Sequence, residues 1–173
     1  MNEHIVKQYN EWAKELHGEF ANLNTFNNWE SDLKRGLKGE EFILNCYPNK
    51  LTKSKDLRWD FDTYNGLKIE TKCDFYPSQA TNNLFIETIS NNTKNSKGGP
   101  FISLENGVDY YLYMFNDSKE IYCFKTEELV NRVLELMPNL HLRTVRNKYY
   151  DTKGYTIPKD KLIDLNIDLE EIL

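Results

Sequence analysis

The sequence predicts an α/β or α+β domain in which a mixed central β-sheet is flanked by helices. Three observations carry the prediction. Two helix-period patterns open the chain, a series of period-two segments follows, and a third helical pattern comes after a strand pair. With 173 residues, the chain is expected to form one domain over residues 1–173, with an N-terminal helix, a real core and an acidic C-terminal tail. Eleven Tyr, nine Phe and three Trp mark it as a folded protein.

Residues 2–21 read as an amphipathic helix, since Ile5, Tyr9, Trp12, Leu16 and Phe20 recur at helical spacing. That stripe is core packing, and an Asn-rich loop follows. A second helix is expected over about residues 31–47. Ser31 would cap it, and Asp32 places negative charge in the first turn, where the helix dipole favours it. Leu33, Leu37, Ile43, Leu44 and Tyr47 form its apolar side. Glu40 falls on that side through Leu37, Ile43 and Leu44, and Glu41 borders it. A core-facing glutamate wants a partner. Pro48-Asn49 ends the helix, and LTKSKD reads as a basic linker.

Residues 58–72, RWDFDTYNGLKIETK, read as two strands joined by a tight turn. Leu57, Trp59 and Phe61 alternate with Arg58, Asp60 and Asp62. After the turn, Leu67, Ile69 and Thr71 alternate with Lys68, Glu70 and Lys72. Asn65-Gly66 supplies the positive φ that a hairpin needs. A loop with an odd number of residues, Tyr64 to Gly66, sets Asp60 opposite Glu70 with Lys72 beside it, and sets Asp62 opposite Lys68. An even loop would turn one charged face into the core, so the apolar pattern selects the odd register. A five-residue loop would instead bring Asp62 opposite Glu70.

A loop with Pro77 leads to residues 83–90, NLFIETIS, expected as a central strand buried on both faces apart from Glu87. The polar stretch SNNTKNSKGGPF reads as a mobile, substrate-facing loop carrying Lys94 and Lys97. Residues 108–115 form a strand, 116–119 a turn and 120–124 the return strand. Thr126 would cap a helix over residues 127–137, with Pro138 just beyond. In HLRTVRNKYYDTKGYTIP, the basic Arg143, Arg146 and Lys148 interleave with tyrosines. Such a mixture either grips phosphates and stacks on bases or forms a solvated strand edge. The last residues suggest a short acidic helix or tail with an Ile/Leu face.

Composition narrows the setting. No run approaches the 18 or so apolar residues of a membrane span, and no signal peptide opens the chain. Cys46, Cys73 and Cys123 are odd in number and far apart, which excludes a CxxC metal site or a disulfide framework and suits the cytoplasm. The net charge of −5 runs against nucleic-acid binding. However, acidic residues crowd the C-terminal segment, while residues 34–58 and 141–153 are locally basic. A carboxylate cluster also counts as less negative once it holds cations.

An aspartate followed on the next strand by Glu-x-Lys resembles the active-site signature of the PD-(D/E)XK nuclease superfamily. The resemblance rests on Asp60, Glu70 and Lys72. It implies a restriction endonuclease-like core, phosphodiester hydrolysis dependent on Mg²⁺ with Mn²⁺ as a substitute, and DNA as partner. Asp60, Glu70 and the Thr71 carbonyl would ligate the metal, and Lys72 would serve the chemistry. GLKGEEFIL resembles the helix that brings one more carboxylate to such sites, a role carried onto Glu40 first and Glu41 second. NLFIE, a Gly-Gly loop and VDYYLYMF look like a phage and bacterial branch, which makes Glu87 a secondary candidate, as the alternative five-residue loop makes Asp62, and the host cytoplasm the location if the chain is phage-encoded. No Pro precedes either candidate aspartate, and Gln79 is followed four residues later by Asn83 rather than Tyr. The second departure favours an endonuclease or junction resolvase over an exonuclease, and a homodimer is compatible with that reading. The rival expectation is the same fold without turnover, acting as an adaptor or an inhibitor.

Overall fold

The computed structural model describes residues 29–75, 78–147 and 149–173. The helix expected over residues 2–21 and the basic Lys148 lie outside the described residues. Helix α1, Trp29–Cys46, begins before Ser31, so Ser31 belongs to its first turn and is not its cap. Its buried side is Gly39, Phe42 and Ile43, whereas Leu37 is 48% exposed. Gly39 explains the difference. A Cβ there would overlap Cys73 Sγ and lie 3.0 Å from Cys73 Cβ, so only glycine lets the helix backbone settle this close to the sheet.

The segment read as a linker is in fact strand β1, Leu51–Lys53, paired antiparallel with β2, Phe61–Thr63. Three residues are too few to show a period, but Leu51 is buried and fixes the strand against the core. Residues ahead of Phe61 do not extend β2. Asp56 Oδ1 accepts the Arg58 N–H at 3.0 Å and closes a turn, which leaves Leu57 fully exposed, against the alternation expected for it.

Strand β3, Lys68–Asp74, pairs with β2 in the register Phe61↔Ile69 and Asp62↔Lys68. The Thr63 N–H donates to Leu67 O at 2.9 Å, so Tyr64, Asn65 and Gly66 form the three-residue turn that the apolar pattern selects. Gly66 carries the left-handed φ of 84°. On its other side β3 runs parallel to β6, Tyr110–Phe115, and β6 pairs antiparallel with β7, Ile121–Lys125. The result is a mixed five-stranded sheet, β1-β2-β3-β6-β7.

Between β3 and β6 the chain leaves this sheet. It makes the helical turn α2, Ser78–Thr81, then β4, Asn83–Asn91, β5, Ser96–Lys97, and helix α3, Gly99–Glu105. Strand β4 is central, but in a second, four-stranded sheet of order β5-β4-β9-β8, with β8 spanning Leu142–Arg146 and β9 Asp151–Pro158. Only Leu84 and Ile86 are buried; Phe85 and Glu87, on the alternate positions, are half-buried, so the strand is not dry on both faces. The stretch expected to be a mobile loop is folded too. Asn91 Oδ1 accepts the N–H groups of Thr93 at 3.0 Å and Lys94 at 3.2 Å, which turns the chain into β5. The next residues pass straight into α3.

Helix α4, Thr126–Leu136, starts one residue earlier than expected, so Thr126 lies inside it and Lys125 takes the cap position. Pro138 lies in the 3₁₀ turn Met137–Asn139 that ends it. The acidic C-terminal segment docks. Ile167 bridges to Cys123, and the Asp168 carboxylate caps the final helical turn α5, Leu169–Ile172. Two apolar cores result. Phe42, Ile43, Phe61, Ile69, Leu112 and Met114 fill the space between α1 and the five-stranded sheet. Tyr111, Tyr113 and Phe115 from the opposite face meet Leu84, Ile86 and Ile157 of the second sheet and Leu129 and Val133 of α4. The mixed sheet thus lies between helices, with the second sheet added on one side.

The Gly39 contact yields a stability prediction. Gly39→Ala should cost about 1–3 kcal/mol through overpacking against β3. Adding Cys73→Ala should recover part of that loss, because it removes the obstructing sulfur; urea unfolding of the single and double variants would measure both.

Candidate active site

Asp60 stands where the β2–β3 ladder stops. Its N–H donates to Ile69 O at 3.0 Å and its carbonyl accepts the Ser54 N–H at 2.8 Å. Its side chain then does what the next stretch of β2 would have done: Oδ2 accepts the Thr71 N–H at 2.8 Å. The expected register is therefore present, but Asp60 and Glu70 are not a direct cross-strand pair. A carboxylate has replaced the neighbouring strand, and the sheet opens at Glu70, Thr71 and Lys72.

Glu40 reaches the same place from α1. Its partner is Lys53, the last residue of β1, whose ammonium forms an ion pair with Glu40 Oε2 and lies 3.6 Å from Asp60 Oδ1. The two carboxylate side chains are 14% and 18% exposed, the lysine 47%. Burial opposes the Lys53 charge, yet the bond to Glu40 and the Asp60 charge hold its pKa above the ordinary value. Lys53 is the site residue that sequence reasoning missed. The available signal was the need of a core-facing Glu40 for a cation, but the three residues around Lys53 read as linker.

The electrostatics of the carboxylates agree with this crowding. Burial and the Glu40 charge push the Asp60 carboxyl up to about 6, against the pull of Lys53 and the Thr71 N–H. Burial and the charges of Asp60 and Glu40 push Glu70 up to about 8, with Lys53 and Lys72 acting in the other direction. Lys72 forms no ion pair with any described residue, so the salt bridge to Glu70 or Asp60 that would give it a structural role is absent among them. It is felt by Glu87, which burial pushes upward. Glu87 and Glu70 both act on the Tyr111 hydroxyl. The Gly-Gly pair belongs to this corner: a Cβ on Gly98 would collide with Glu87 Oε1, and one on Gly99 would lie 2.6 Å from the Glu87 carbonyl.

The other sequence candidates divide clearly. Glu41 is exposed, so Glu40 is the helix carboxylate of the site. Asp62 accepts the Trp59 indole N–H at 2.8 Å and pairs across the hairpin with Lys68, whose ammonium lies 4.5 Å from the Trp59 ring. Lys94 is exposed on the β4–β5 turn, and Lys97 is engaged by Glu105. Arg143 and Arg146 are exposed on β8, the edge strand of the second sheet.

Among the described residues, no group of three or more His, Cys, Asp and Glu side chains is drawn together closely enough to enclose a metal ion. The donor set nevertheless suits a hard divalent cation. Glu40 on α1, Asp60 just ahead of β2 and Glu70 on β3 lie within one another's field, burial and neighbouring charge raise the carboxyls of Asp60 and Glu70, and the Thr71 hydroxyl is buried without a partner among the described residues.

The raised carboxyl groups set a pH dependence. In the metal-free protein, Asp60 and Glu70 hold protons that the unfolded chain releases near 3.8 and 4.5. Stability should therefore fall as pH rises from those values through about 6 and about 8, and then level off. Glu70→Gln should melt with wild type near about pH 5 and several degrees above it near about pH 9 in chelator, as followed by calorimetry. No protein-family model and no curated protein matches the chain.

Proposed function

We propose that the chain is a Mg²⁺-dependent DNA endonuclease, able to use Mn²⁺, that hydrolyses phosphodiester bonds at the opening beside Asp60. The observation that carries this reading is the meeting of Glu40 from α1 and Asp60 from just ahead of β2 at one ammonium, with Glu70 on β3 within their field and Lys72, without an ion pair to any described residue, two residues beyond it. Asp60, Glu70 and Glu40 would hold the metal, with Thr71 alongside. When bound, the metal supplies Lewis-acid stabilisation of charge on the phosphate and lowers the pKa of an attacking water.

The remaining work falls to the chain itself. Asp60 is fixed by backbone bonds on both sides and by the Thr71 N–H at Oδ2, so its Oδ1, 3.6 Å from the Lys53 ammonium, is held in a set orientation. Lys72 follows Glu70 by two residues on one strand face, about 6.6–6.8 Å along. Its ammonium is not consumed by a salt bridge to any described residue, and it can orient the water or neutralise charge on a non-bridging phosphate oxygen. Arg143 and Arg146 offer phosphate contacts on the exposed edge strand of the second sheet.

The test is cleavage of supercoiled and branched DNA with Mg²⁺ and with chelator. Lys72→Ala should lose about 10²–10³-fold in rate while binding DNA nearly as wild type does in Ca²⁺. Asp60→Asn should be inactive and folded, because the amide oxygen still accepts the Thr71 N–H; Asp60→Ala would orphan that donor at a cost of about 1–3 kcal/mol. Asp62→Asn should retain activity, since its carboxylate serves Trp59. Wild-type cleavage by Lys72→Ala would remove this reading in favour of a non-catalytic binding module.

A further inference from the structure

Lys53 is the one cation in contact with both Glu40 and Asp60 among the described residues. It arrives from the edge strand of the five-stranded sheet, with its ammonium over the Phe61 ring, 5.4 Å from the centroid, and its side chain 47% exposed. The carboxylates it joins are mostly buried, so the solvent-facing member of the trio is the lysine. An ammonium and a divalent ion compete for the same two carboxylates by elementary electrostatics, because both draw on the same oxygen charge.

We propose that Lys53 is a resident counter-cation of the Glu40–Asp60 pair that a divalent metal must displace, so that this lysine sets the metal concentration at which the site loads. The inference rests on the nuclease reading of the site. In the metal-free protein the ammonium holds together two carboxylates that would otherwise repel across a buried gap. On loading, its flexible stem carries it out toward solvent while the backbone of β1 stays paired with β2. Lys53 is thus a positioning residue for the site's charge and not one of its catalytic groups.

Mn²⁺ binding without nucleic acid, read by electron paramagnetic resonance, tests this. Lys53→Gln should bind Mn²⁺ about tenfold more tightly than wild type, and Lys53→Arg, which keeps the competing charge, should bind as wild type does. The Gln variant should also melt lower than wild type in chelator and regain stability in excess Mg²⁺. A second measurement uses the unmodified protein: amine-reactive labelling of Lys53, read by mass spectrometry, should rise several-fold when Mg²⁺ is added. Equal or weaker Mn²⁺ binding by Lys53→Gln, or labelling that fails to rise while Mn²⁺ binds the wild type, overturns the displacement proposal and leaves the nuclease reading standing. Absence of Mn²⁺ binding in wild type and Lys53→Gln alike removes both.

Discussion

The hydrogen bond from the Thr71 N–H to the Asp60 carboxylate is the point on which the site turns. A strand edge is a row of donors and acceptors that must be satisfied. Where β2 leaves β3, one of those donors is met by a side chain instead of a backbone carbonyl. That substitution ends the pairing, opens the sheet, and leaves Glu70 and Lys72 on a strand held only from the β6 side. It also fixes the carboxylate in place. One bond therefore sets both the shape of the opening and the orientation of its first acidic group.

Around that bond the molecule accepts an unfavourable concentration of charge. Glu40, Asp60 and Glu70 lie within one another's field in partly buried positions, with Glu87 nearby and half-buried, and among the described residues Lys53 and Lys72 oppose their charge. A fold optimised for stability alone would not place glutamates there. Elsewhere the charges are distributed conventionally. Arg132 on α4 makes paired bonds to Asp164 at 2.9 and 2.8 Å, and Lys159 meets Glu120, just ahead of β7, at 2.6 Å, so the C-terminal segment is tied to the helix and to the start of that strand. The net charge of −5 thus includes carboxylates whose repulsion is concentrated at one place, and it is a poor guide to the surface that a phosphate would meet.

What the sequence made legible followed from periodicity and turn chemistry. Asn65-Gly66 and the alternation around it defined the hairpin register, and the spacing from Ile43 and Leu44 marked Glu40 over Glu41. What it hid followed from contacts between distant segments. β1 has three residues and no readable period, so Lys53 went unseen. The ladder break at Asp60 depends on how the chain leaves β2, which no alternation records. Strand β4 carries enough apolar residues for a central strand, but nothing in it says which sheet it joins; its partner β9 lies in the last part of the chain. Gly39 and Gly98 looked like ordinary helix and loop glycines until the surfaces they touch, Cys73 and Glu87, were placed against them.

The parallel pairing of β3 with β6 has a kinetic side. The hairpin of β2 and β3 is local and needs only its own turn, whereas β3 meets β6 after the chain has gone out through α2, β4, β5 and α3. Closing that excursion costs loop entropy before any sheet contact repays it. The second sheet spans a longer separation, since β4 pairs with β9. Glu70 and Lys72 thus depend for their backing strand, and Glu87 for its cross-strand neighbour Gly154, on contacts between distant segments. The carboxylate repulsion is therefore added to the contacts that already carry the larger closure cost.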